Sequence, residues 1–90
     1  MKPLGPSRAH YFRVLGMAQA TGVDLVSAFD AGRLDNGTWS GMVERCRGCA
    51  WAEGCDAWLE SDAGAVVPPR ECLNRTRFGV LRVEQELERA

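Results

Sequence analysis

The apolar positions of the chain recur at helical spacing almost throughout. Trp39, Met42, Val43 and Cys46 fall at i, i+3, i+4 and i+7, one continuous stripe of a 3.6-residue period. Asp35 or Thr38 stands where the helix carrying that stripe needs its N-cap. Upstream, Ser7 is positioned to cap a first helix, with Tyr11, Leu15 and Ala18 on one face, Arg13 and Gln19 on the other, and Gly22 as its stop. A short second helix follows, with Asp24 as N-cap, Leu25, Ala28 and Phe29 as its apolar side, and Gly32 at its end. Past a turn at Gly48, a fourth helix is expected from Ala50 to about Ser61. Its stripe is Trp51, Cys55, Trp58, Leu59 and Asp62, with Gly54 as an internal weak point. Residues 63–69 read as a loop. Asn74 can then cap a final helix through Arg89, with Phe78, Leu81 and Val80 turned inward. No segment alternates with a two-residue period between hairpin turns. The pattern predicts an all-α, single-domain bundle of four to five short helices over residues 1–90, with 1–6 as an N-terminal extension.

Length makes that bundle marginal. A 90-residue domain buries about two-thirds or less of the surface its unfolded chain exposes, and ordering opposes folding by roughly 1.5 kcal/mol per residue. A covalent or metal staple would therefore matter. The net charge of −1, from 11 basic and 12 acidic residues, excludes a nucleic-acid protein held mainly by phosphate neutralisation. No apolar run approaches the ~18 residues of a membrane span. The first ten residues carry neither an apolar h-region nor a small-residue cleavage site, so a cytoplasmic protein is expected. In that compartment four cysteines point to ligands or reactive thiols before disulfides.

Cys46, Cys49, Cys55 and Cys72 spell C-x2-C-x5-C-x16-C. A C-x2-C pair at a helix end can aim both sulfurs at one point. Cys55 lies on the stripe of the next helix and Cys72 arrives from across the Pro68-Pro69 loop, so three segments converge. Zinc would need the sulfurs about 3.8 Å apart around one ion with Zn–S near 2.3 Å, and zinc ribbons usually supply them as two short pairs. An iron–sulfur cluster puts each thiolate on a different iron and tolerates one pair with dispersed partners. A thiol–disulfide site would place its first cysteine at a helix N-terminus, whereas Cys46 reads as a C-terminus. Buried cysteines acting as plain small hydrophobes are the bland alternative.

Arg45, Arg47, Arg70 and Arg75 flank the cysteines and are candidates to offset the charge near −2 of four thiolates with either Zn²⁺ or a [4Fe-4S]²⁺ core, against a plain solvated role. Backbone N–H groups near Gly48 and Gly54 are further candidates. His10, the single histidine, reads first as a surface or helix-face residue and only second as a fifth ligand or proton carrier. Trp51 and Trp58 read first as core and second as a water shield. Glu84, Glu86 and Glu88 read as a solvated terminal face. With no Ser-His-Asp set, no phosphate-cradling glycine loop and no paired carboxylates, no enzymatic activity is expected.

The Cys46–Cys55 triplet is similar to the cluster segments of two regulator classes, the fumarate-nitrate class of oxygen-sensing transcription factors and the WhiB-like regulators. That similarity implies a [4Fe-4S] cluster held by the triplet and one distant cysteine; the DNA-reading parts of those regulators have no counterpart here. Over nearly its full length the chain resembles an uncharacterised family of short alphaproteobacterial proteins. The resemblance rests on Pro3-Leu4-Gly5, Gly22-Val23-Asp24-Leu25, Gly32-Arg33-Leu34, Met42-Val43, Arg45-Cys46, Cys49, Cys55, Trp58-Leu59 and Pro69 through Cys72 to Asn74. It implies a small helical protein built around the cysteines and no particular activity. Arg75-Thr76-Arg77 departs from it where apolar residues are expected, which leaves the docking of the last helix open. The resulting expectation is a [4Fe-4S] cluster on Cys46, Cys49, Cys55 and Cys72 for redox sensing or electron transfer. The alternative is one zinc ion stapling an interaction module. Both leave room for a protein partner without identifying one, and neither involves a membrane or strong nucleic-acid binding.

Overall fold

Five helices follow one another in a computed structural model of the chain, which describes residues 7–61 and 67–89. They are α1 (Ser7–Ala20), α2 (Leu25–Asp30), α3 (Asn36–Arg47), α4 (Ala52–Glu60) and α5 (Arg75–Arg89), with no strand among the described residues. The expected extension at 1–6, the Ser7 side-chain cap, Asp62 and residues 63–66 of the expected loop lie outside the described residues.

Local chemistry sets the boundaries. Gly22 and Gly32 take φ of 75° and 79°, left-handed values that end α1 and α2 at little cost only in glycine. Asp24 caps α2 and Asp35 caps α3, their carboxylates accepting from the Ser27 and Thr38 backbone N–H groups. Thr38 is thus the capped donor, and Asp35 the cap. α4 begins two residues later than the spacing predicts, because Trp51 takes the N-cap position without a side-chain cap bond.

α1 packs against α3 and α4. The core joins Val14, Met17, Leu34, Met42, Phe78 and Leu81, all nearly inaccessible. Two facings differ from expectation. On α1 the buried side is His10, Val14, Met17 and Ala18, while Tyr11 sits at the rim and stacks over Trp39 with ring centroids 6.5 Å apart. On α5 Val80 is exposed and Gln85 takes the inward place, in register with Phe78 and Leu81. Gln85 is buried because it is satisfied: its amide donates to the Gly22 carbonyl and its oxygen accepts from the Asp24 N–H, each at 2.8 Å. One side chain thereby ties α5 to the α1–α2 turn. Asn74 stands at the expected cap position, its carbonyl accepting from the Phe78 N–H at 2.9 Å, while its buried side chain donates to the Met42 carbonyl at 2.8 Å and locks the start of α5 onto α3.

Candidate metal centre

Cys46 ends the α3 stripe, Cys49 lies in the turn after it, Cys55 is on the second turn of α4, and Cys72 is in the turn before α5. All four are half-buried, free of disulfides, and line a single hollow. Val14, Met17, Trp51 and Phe78 supply its apolar walls, and its space is about 410 Å³, part of it open to solvent. The structure thus brings together every cysteine the sequence singles out. Among the described residues, however, no group of three or more His, Cys, Asp or Glu side chains is arranged to hold a metal ion.

Two sulfurs have polar neighbours: the Trp51 backbone N–H donates to Cys49 Sγ at 3.4 Å, and His10 Nδ1 lies 3.3 Å from Cys46 Sγ. His10 is only 4% exposed, which overturns its reading as a surface histidine. Arg13 reaches both nitrogens of the same ring, with Nε2 at 3.2 Å. At nearly equal distances from both nitrogens, the guanidinium lies over the face of the imidazole and not on one in-plane lone pair. Arg13 is itself held by Asp56 through two bonds of 2.7 and 2.8 Å. A chain of polar contacts therefore runs from the Cys46 sulfur through His10 and Arg13 to the Asp56 carboxylate, which accepts from the guanidinium.

The cation that lines the hollow is Arg13, and the flanking arginines have contacts elsewhere, although the Arg47 charge also reaches His10. Arg47 pairs with Glu44 and Arg70 with Glu71, while Arg75 donates to the Pro68 carbonyl. Arg45 borders a separate hollow beside Leu73 and Val80. The sequence gives Arg13 no local mark, since its partner lies 43 residues away. The i, i+3 spacing of His10 and Arg13 is the signal that would have paired them.

Electrostatics follow from this packing. Burial, reinforced by the Cys55 and Cys49 sulfurs, pushes the Cys46 thiol up to about 11 against the pull of Arg13. Burial does the same to Cys55, also to about 11, aided by Cys72 and the Asp56 carboxylate. Cys72 is raised by burial as well, with the Asn74 N–H opposing. Burial, then the Arg13 and Arg47 cations, hold His10 below its ordinary value, so its ring is neutral near pH 7. Raised thiols are poor nucleophiles, which disfavours a thiol–disulfide site.

Gly54 owes its place to this site. A Cβ there would stand 2.1 Å from Trp51 Nε1, because the indole that walls the hollow lies across the glycine.

The chain belongs to a family of unknown function, DUF6455, whose model matches residues 1–84 and so spans all four cysteines. No curated protein and no solved structure matches it.

Proposed function

We propose that Cys46, Cys49, Cys55 and Cys72 hold a [4Fe-4S] cluster and that the protein is a non-enzymatic redox sensor or electron carrier. The observation that carries the reading is the single hollow lined by all four thiols, which come from three segments. One C-x2-C pair with two dispersed cysteines suits a cofactor that takes each sulfur at a separate metal better than a zinc ion, whose ribbons usually supply two short pairs. The Trp51 N–H supplies a hydrogen bond to the Cys49 sulfur and the His10 ring stands beside that of Cys46, contacts of the kind by which proteins stabilise bound thiolates and tune their potential. Arg13 supplies one positive charge, fixed in direction by Asp56.

A bound cluster would supply one-electron chemistry, passing between its 2+ and 1+ states. Val14, Met17 and Phe78 keep water from the inner side. A reducing compartment, the cytoplasm, suits four unpaired cysteines. None of the helices among the described residues is long and apolar enough to cross a membrane.

Anaerobic reconstitution with ferrous iron and sulfide tests the reading. The expected product is brown, holds iron and sulfide in equal amounts of about four per chain, and bleaches on one-electron reduction. Serine at any one of the four positions should lower iron retention. A chain that stays colourless under these conditions and takes up one zinc would establish the stapled interaction module instead.

A further inference from the structure

α5 carries a second apolar face that is exposed among the described residues. Thr76, Val80, Val83 and Leu87 follow one another at spacings of four, three and four, so they fall within about 60° of one another on the helix. Val80, Val83 and Leu87 are 42%, 59% and 70% exposed. Leu73, 57% exposed, extends the strip by sharing a hollow with Thr76 and Val80. This face is diametrically opposite Phe78, Leu81 and Gln85, the residues that dock α5 on the core.

Two further features give the strip the character of a helix–helix seam. Gly79 sits beside it in mid-helix, and a Cβ there would meet nothing within 4 Å among the described residues, so none of their packing accounts for a glycine. It permits close approach by another backbone. Charges line the flanks unequally: Arg77 and Glu84 share one side, while Gly79 and Glu86 share the other.

We infer that α5 pairs antiparallel with α5 of a second copy of this chain, along Thr76, Val80, Val83 and Leu87. A two-fold axis across the strip sets Val80 against the other copy's Val83. In an antiparallel pair each flank meets its own counterpart, so Arg77 faces Glu84 of the other copy and Glu84 faces its Arg77. On the opposite flank Glu86, already bonded to Arg82 at 3.0 Å, faces the side-chain-free Gly79. A parallel pairing would instead bring Glu84 beside Glu86. The self-complementary charge pattern thus selects both the partner and its direction. The strip covers on the order of a few hundred Å², at the low end for a specific interface, so the dimer is reversible and concentration-dependent.

Sedimentation equilibrium of the full chain under reductant, from about 5 to about 500 µM, reads this directly. Monomer at the dilute end and dimer at the concentrated end are expected. Val83→Glu, at an exposed position, should leave thermal unfolding of the dilute protein unchanged while raising the dissociation constant about tenfold or more. Arg77→Glu should also weaken the dimer, and adding Glu84→Arg to it should restore it. A monomer throughout the range, or a dimer indifferent to Val83→Glu, overturns the proposal. A dimer lost on Val83→Glu but indifferent to both charge reversals overturns the antiparallel register.

Discussion

The same substitution, glycine to alanine, should have opposite effects at two helical positions. At Gly79 the new methyl enters open space, so only the backbone benefit remains. That benefit is about 0.8–1.0 kcal/mol in a helix interior, and a domain of this size gains roughly 4–8 °C in melting temperature per kcal/mol. At Gly54 the methyl would lie 2.1, 2.4 and 2.7 Å from three atoms of the Trp51 indole. The rigid ring must swing away and lose its contacts along the hollow. Overpacking of this kind costs about 1–3 kcal/mol, which exceeds the backbone benefit and leaves a net loss of about 1 kcal/mol. Thermal unfolding of the reduced apo-protein at dilute concentration, followed by far-ultraviolet circular dichroism, compares the two with the parent. Gly79→Ala should melt about 4–8 °C higher and Gly54→Ala lower by a similar amount. Gly54→Ala should also shorten the life of the reconstituted centre in air, because the indole is part of its wall. If both variants melt higher, the indole does not rest on Gly54 and the described wall of the site is wrong.

Hydrogen bonds from Arg13 hold the Asp56 carboxyl below the usual carboxylate range. Its contribution to stability is therefore complete above its unfolded value, near 3.9, and is lost as pH falls through the lower folded value. Urea midpoints of the parent and Asp56→Asn should differ at neutral pH and converge in acid below about pH 4. Cys46 and Cys55 shift the other way: with folded thiols at about 11, the unfolded chain ionises first. The apo-protein should lose stability as pH rises from about 8.5 towards 11, and a Cys46→Ala variant should lose less. Gln85→Leu strands the Gly22 carbonyl and the Asp24 N–H; both lie near the surface, where water partly replaces the amide, so a loss of about 2 kcal/mol is expected from the urea midpoint.

Short-range pattern carries much of this fold. The α3 stripe ending in Cys46, the Asp24 and Asp35 caps and the Gly22 and Gly32 stops are each written within a few residues, and all appear in the structure. So does the convergence of the four cysteines, since the spacing brings them to neighbouring segments. Facing on α5 was not legible, because the helix has two apolar sides and Phe78, Leu81 and the bonded Gln85 decide between them only in three dimensions. The Asp56 end of the His10–Arg13–Asp56 chain was hidden for the same reason: His10 and Arg13 share i, i+3 spacing, but a salt bridge 43 residues long leaves no periodic trace. Gly54 looked like a flaw in α4 until the indole three residues earlier gave it a purpose.

The central claim is the identity of what the four thiols bind. Metal analysis of the full chain, purified without oxygen from cells supplied with both iron and zinc, tests it most directly. The account predicts iron and acid-labile sulfide in equal amounts, near four per chain, with both diminished in the Cys72→Ser variant. One zinc per chain without sulfide, in a colourless protein, would contradict it.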